Sequence, residues 1–150
     1  MVQTVKKKVI IVSGYFNPLH VGHLDMISAA RQMGDFLIVI VNNDKQQIMK
    51  KGKVIIPEAD RVRVANSIKG VNLAVLSADN DITVCNTLAD IAKNWADYDL
   101  VFANGGDRDS SKEVPEEFIC KQYNIKMVFD CGGNKKVDSS TRINRELGVG

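Results

Sequence analysis

The chain reads as an α/β fold built on a parallel sheet. Two observations predict it. Short apolar runs rich in Val, Ile and Leu recur along the sequence, and helix-periodic segments alternate with them. The runs are continuous rather than alternating, as expected of strands covered on both faces. At 150 residues the chain fits one domain, 1–150, and no repeat or linker divides it.

The first strand is read at Val9–Val12. A helix over Leu24–Met33 places Leu24, Ile27, Ala30 and Arg31 at helical spacing, with Gly34 as its stop. Phe36–Val41 is the second strand. The lysine-rich stretch Lys45–Lys53, holding Lys45, Lys50, Lys51 and Lys53, reads as a loop. Pro57 suits the first turn of a helix that carries Val62, Val64, Ala65 and Ile68 and ends near Gly70. Leu73–Leu76 is a third strand. Thr83–Trp95 is a helix with Val84, Leu88, Ile91 and Trp95 on one stripe. Leu100–Ala103 and Lys126–Phe129 complete the strands, and Glu116–Tyr123 and Thr141–Leu147 are short helices.

Composition removes several classes of function. Apolar content is 45% and charged content 25%, ordinary for a soluble globular protein. A net charge of +2 leaves no footprint for a nucleic acid. No apolar run approaches the roughly 20 residues needed to cross a membrane. Nothing signal-like precedes the first strand, so a cytoplasmic protein is expected. Cys85, Cys120 and Cys131 form no CxxC pair, and are read as reduced thiols, Cys85 and Cys120 as small apolar packers. Trp95 is assigned to core or dimer packing.

The chemistry concentrates in Gly14-Tyr15-Phe16-Asn17-Pro18-Leu19-His20-Val21-Gly22-His23, directly after the first strand. Both histidines of the chain lie here. In open parallel sheets, ligands bind beyond the carboxyl ends of the strands. Gly14 is expected to let backbone approach a phosphate. The next helix begins around Val21 or Gly22, and its unpaired N–H groups and positive dipole end favour an anion. His20 and His23, three apart, can face one ligand. The segment is neither a Walker loop nor a GxGxxG turn. A bare HxxH also lacks the spacing and glutamate of HExxH, so no protein metal site is expected.

Phe16, His20, Gly22 and His23 resemble the GxFxxxHxGH signature of the cytidylyltransferase-like nucleotidyltransferases. Val41-Asn42-Asn43-Asp44, the lysine-rich loop, Asp60-Arg61, Gly105-Gly106-Asp107 and Ser139-Ser140-Thr141-Arg142 follow in that family's order, so the likeness covers nearly the whole chain. It implies a Rossmann-like three-layer α/β/α fold with a five-stranded parallel sheet, and a homodimer. It further implies transfer of CMP or AMP from CTP or ATP to a small phosphorylated acceptor, such as glycerol phosphate or a sugar phosphate, releasing pyrophosphate. Mg²⁺ would travel with the triphosphate, held mainly by phosphate and water.

By the same resemblance His20 and His23 donate hydrogen bonds to the phosphates in the transition state. Lys50 or Lys51 supplies the transition-state lysine. Gly14, Tyr15 and Phe16 line the nucleotide, and Asp107 and Arg108 touch the nucleoside or acceptor. Ser139, Ser140 and Thr141 converge on the β- and γ-phosphates, with Arg142 a clamp or a surface residue. Arg61 is either an acceptor contact or the partner of Glu58 or Asp60.

Three features pull toward different relatives. Several cytidylyltransferases carry an arginine-containing RTxGISTT run, whereas Gly132–Thr141 has no arginine ahead of the hydroxyls. Asn17-Pro18 is similar to nicotinate or nicotinamide mononucleotide adenylyltransferases. Gly105-Gly106-Asp107 is similar to the adenylyltransferase domain of ADP-heptose synthases, while the overall motif order is similar to glycerol-3-phosphate cytidylyltransferases. The competing reading is a nucleotide-binding sensor or scaffold of the same fold that does not turn over.

Overall fold

The computed structural model describes residues 6–105 and 115–131, with side chains 104–105 and 129–131 left aside. Five strands form one all-parallel sheet: β1 (Lys8–Gly14), β2 (Phe36–Val41), β3 (Leu73–Leu76), β4 (Asp99–Gly105) and β5 (Lys126–Cys131). Their spatial order is β3-β2-β1-β4-β5. The order reverses between β1 and β4, the switch point at which such sheets open a crevice at their carboxyl ends. All five expected strands are present, each at or within a few residues of its expected bounds.

Helices α1 (Val21–Gln32), α3 (Glu58–Asn66), α4 (Cys85–Asn94) and α5 (Glu117–Gln122) cover the sheet. Alternate strand residues point to opposite faces, and each face has its own core. Ile10, Val12, Leu37 and Val39 pack with Ile27, Ala30 and Ala65 of α1 and α3. Val9, Ile11, Ile38 and Ile40 pack with Leu88, Ile91 and Cys120 of α4 and α5. Trp95 joins the second core, its ring 5.0 Å from that of Phe36. The result is the three-layer Rossmann-like α/β/α arrangement.

The lysine-rich stretch is a helix, not a loop. α2 (Asp44–Lys51) starts at Asn43, whose side chain accepts the Gln46 N–H while Gln46 returns a bond to the Asn43 N–H. This reciprocal box satisfies two orphan donors at once. Gly52, at φ 78°, closes the far end. Those caps override what four lysines suggest about a solvated segment. α3 stops at Asn66, with the Ser67 N–H returning to the last turn, so Gly70 falls beyond the helix. Among the cysteines, Cys120 is buried and Cys85 only partly so, its thiol reaching the Pro115 carbonyl at 3.7 Å. The expected helix Thr141–Leu147 lies outside the described residues.

Gly34 ends α1 for a different reason from the one its position suggests. The cap residue is Met33 in right-handed geometry, not a left-handed glycine. A Cβ on Gly34 would sit 2.9 Å from both Ile10 Cγ1 and the Lys8 carbonyl oxygen. The glycine lets the chain turn tightly onto β1. Gly34→Ala is therefore expected to destabilise the fold by about 1–3 kcal/mol, read as a lower urea midpoint at unchanged m-value.

Candidate functional site

The β1–α1 turn is built from packing. Gly14 is the last residue of β1, and a Cβ there would lie 2.8 Å from the Phe16 ring. Phe16 is 3% exposed, has φ 52°, and meets the His23 ring edge-on at 4.7 Å. The Cβ position of Gly14 is thus filled by the Phe16 ring, a packing reason for glycine here in addition to the expected approach of backbone to a phosphate. Phe16 is a buried strut beneath the turn, and its ring is spent on packing. Asn17 precedes a cis bond to Pro18, and its side-chain oxygen accepts from the N–H groups of Ile55 and Ile56 at 3.0 and 2.8 Å.

The histidines lock the helix start. His20 is the N-cap of α1, and its Nδ1 accepts the Gly22 N–H at 3.0 Å. His23 Nδ1 accepts the His20 N–H at 3.2 Å. The rings lie 3.9 Å apart between centroids, tilted by 32°. An Nδ1 that accepts carries no proton, so each neutral ring holds its hydrogen on Nε2. Burial, and secondarily the neighbouring His20, push the His23 pKa down to about 3. His23 is therefore held neutral, and both rings aim Nδ1 at backbone N–H groups.

Arg61 is buried to 1% exposure and binds neither Glu58 nor Asp60. Its Nε donates to Ile56 O at 2.8 Å, and one terminal nitrogen donates to Tyr15 O at 2.7 Å and Asn42 O at 2.6 Å. The other pairs with Asp44 at 2.6 Å. Glu58 instead accepts the Asp44 N–H at 2.8 Å. The expected ion pair exists with a different partner, because α3 packs its arginine inward beneath the loops. Sequence reasoning missed Asp44 in this role, and no local spacing signals a pair 17 residues apart. Asn42 Nδ2 donates to Gln46 Oε1 at 3.1 Å, and Gln46 Nε2 donates to Asp81 O and Thr83 O at 2.6 and 2.8 Å.

Lys50 and Lys51 occupy the last turn of α2. Lys50 Nζ stands 4.8 Å from the centre of the Tyr15 ring, so α2 brings this lysine to the β1–α1 turn. Burial first, then Glu116, raise the Tyr15 pKa above its ordinary value, with Arg61 opposing. Asp107, Arg108, Ser139, Ser140, Thr141 and Arg142 lie outside the described residues.

The sequence matches the model of the cytidylyltransferase-like family over residues 11–146. The chain belongs to that family. An FAD synthase from Methanohalobium evestigatum is 41% identical over 126 residues, 81% of this chain and 79% of that protein. An FAD synthase from Archaeoglobus profundus is 41% identical over 73 residues, 49% of this chain and 46% of that protein. The bifunctional protein HldE of Streptomyces coelicolor is 34% identical over 123 residues, 81% of this chain and 25% of its own length. The chain thus spans about half or less of several curated relatives it matches. A lipopolysaccharide core biosynthesis protein from Thermoplasma volcanium superposes with TM-score 0.64 at 22% identity, covering 88% of this chain and 99% of that one, which shows a shared fold.

In this cytidylyltransferase-like chain, no group of three His, Cys, Asp or Glu residues among the described residues could cage a metal. The buried Asp79 carboxylate is consumed by the N–H groups of Asn86 and Thr87 and by the Thr87 hydroxyl.

Two consequences can be measured. Above pH 6.5 His23 is neutral whether folded or not. Between pH 6.5 and about 3 only the unfolded chain takes up its proton, so acid destabilises the fold by up to about 1.4 kcal/mol per pH unit from this group. His23→Asn retains an acceptor for the His20 N–H without titrating there. It is expected to flatten that part of the stability profile in urea unfolding between pH 7 and 4. Arg61→Ala strands Asp44 and three carbonyls and is expected to cost about 3–5 kcal/mol, seen as a large drop in Tm.

Proposed function

We propose that this chain is a nucleotidyltransferase that moves the AMP of ATP, or the CMP of CTP, onto the phosphate of a small acceptor, with ATP and FMN as the first pair to test. The observation that carries the reading is the pair of imidazoles fixed at the first turn of α1, both with Nδ1 committed to backbone N–H groups. The 41% identity to an FAD synthase over 126 residues supports adenylyl transfer to FMN. The HldE match over 81% of the chain favours, as a second reading, a sugar phosphate acceptor, and glycerol phosphate belongs in the same panel.

In the reaction an acceptor phosphate oxygen attacks the α-phosphorus. The bond from the α-phosphorus to the α–β bridging oxygen breaks, and pyrophosphate leaves with that electron pair. Mg²⁺ enters as part of the triphosphate substrate and neutralises charge on it. His20 and His23 donate their Nε2–H groups to oxygens whose charge grows in the transition state. Because the rings are already oriented by backbone bonds, little reorganisation accompanies the step. The neutrality of His23 suits the positive end of the α1 dipole, which the anion itself then meets. Lys50 or Lys51 adds a compact positive charge from α2. Tyr15 borders the triphosphate from the β1 side. Asp107 and Arg108 are assigned to the nucleoside or acceptor, and Ser139, Ser140 and Thr141 to the β- and γ-phosphates. A cytoplasmic homodimer is part of the same reading.

Pyrophosphate release measured across ATP and CTP, with FMN, glycerol phosphate and sugar phosphates, tests the proposal. Turnover with one pair is the expected result. Triphosphate binding without release across the panel would instead favour a sensor or scaffold. His23→Ala is expected to lower kcat by about 10²–10³ while the chain remains folded by circular dichroism. A loss under about tenfold removes its assigned role.

A further inference from the structure

We propose that Glu116 and the Tyr15 hydroxyl form a hydroxyl-reading pair at the switch point, taking a sugar or polyol hydroxyl of a substrate. The inference rests on the nucleotidyl-transfer reading. Tyr15 directly follows β1, and Glu116 lies between β4 and α5, so the two come from opposite sides of that point. Glu116 is 6% exposed, and its Oε2 is buried with no hydrogen-bond partner among the described residues. The Tyr15 hydroxyl oxygen is likewise buried and unpartnered among them. The two are near enough for the carboxylate, after burial itself, to raise the Tyr15 pKa. Nearby thiols do not serve the carboxylate. Cys85 Sγ turns to the Pro115 carbonyl at 3.7 Å, while burial and then Glu116 push the Cys120 pKa up to about 12.

A buried polar atom without a partner is costly, and most costly when it carries charge. Such a pair asks for specific chemistry. Oε2 needs a donor, and the tyrosine O–H needs an acceptor. A phosphate oxygen only accepts, and its charge has the same sign as the carboxylate's. An amino group only donates and leaves the tyrosine proton unmet. A hydroxyl does both. Sugar and polyol chains carry hydroxyls close together, on a nucleoside and on acceptors such as FMN or glycerol phosphate alike. The pair therefore reads an uncharged part of a substrate while the histidine turn meets its phosphates. By repelling phosphate from this corner, the carboxylate also fixes which way round the substrate lies.

Calorimetric binding to the intact protein tests the pair with two sets of probes. ATP and CTP are compared with their 2′-deoxy and 3′-deoxy forms, and glycerol phosphate with propyl phosphate. The wild type is expected to bind the hydroxyl-bearing member about tenfold tighter in one set, and that set names the source. Glu116→Gln, which keeps the shape and removes the charge, is expected to shrink the preference to about threefold or less. Tyr15→Phe is expected to do the same. In the wild type, the Cζ resonance of ¹³C-labelled Tyr15, assigned by its loss in Tyr15→Phe, is expected to move with the hydroxyl-bearing probe alone. A wild type with no preference in either set, or no affinity for any probe, overturns the pair. A preference that either folded variant keeps in full overturns it too. A Tyr15 resonance that the preferred probe leaves unmoved does so whether or not the variants fold. The full pattern in a chain that releases no pyrophosphate supports the pair while refuting nucleotidyl transfer.

Discussion

The end of the sheet that carries the site depends on one buried guanidinium. Arg61 satisfies three carbonyls, from Tyr15, Asn42 and Ile56, and neutralises Asp44. Taking a charge out of water costs several kcal/mol, and the cost is offset here only because nearly every N–H finds an acceptor. A lysine would present a point charge with three donors and lack the planar fork that reaches opposite sides. The β1–α1 turn, the start of α2 and the approach to α3 consequently behave as one piece. Asn17 adds a second tie, accepting from Ile55 and Ile56 across the same gap.

On that platform the two histidines do two jobs with different atoms. Nδ1 closes the helix start, in the place where serine or aspartate usually serves. In the proposed reaction Nε2 is the atom that meets the phosphates. Protonating His23 at Nδ1 would convert its acceptor into a donor facing the His20 N–H, which together with burial keeps this ring neutral. The low pKa of His23 follows from burial against Phe16 and from its neighbour. Helix capping and the proposed chemistry are therefore coupled through the same two rings.

Much of this was legible in the sequence, for identifiable reasons. Strands buried on both faces leave uninterrupted apolar runs, so Phe36–Val41 was found at its observed bounds, and the edge strand Leu73–Leu76, though only partly buried, kept an apolar run too. The histidine turn was visible because its residue types are rare and closely spaced. α2 was hidden by its lysines, although Asn43 and Gln46 already spelled a capping box. Gly34 was read as a helix stop and Gly14 as a point of approach for a phosphate, whereas atoms of the chain itself already crowd both Cβ positions, the Phe16 ring at Gly14 and β1 at Gly34. The Arg61–Asp44 pair could not be read, since contacts between segments far apart in sequence leave no local pattern. The expectations for Asp107, Arg108 and Ser139–Thr141 lie beyond the described residues.

The sheet's topology also bears on why relatives with different names share this framework. His20, His23, Lys50 and Arg61 all come from the chain between β1 and α3, on one side of the switch point. In the proposed reaction the two imidazoles and the lysine meet phosphates, which every nucleoside triphosphate carries. None of them discriminates adenine from cytosine, or a flavin from a sugar. In the proposed reaction, such discrimination has to come from residues that meet the base and the acceptor, and the far side of the crevice, beyond β4, is where a parallel sheet offers room for them. In the proposed reaction a scaffold divided in this way can change its acceptor without disturbing the part that handles phosphate, because the described Arg61 contacts run to the chain's own carbonyls and to Asp44.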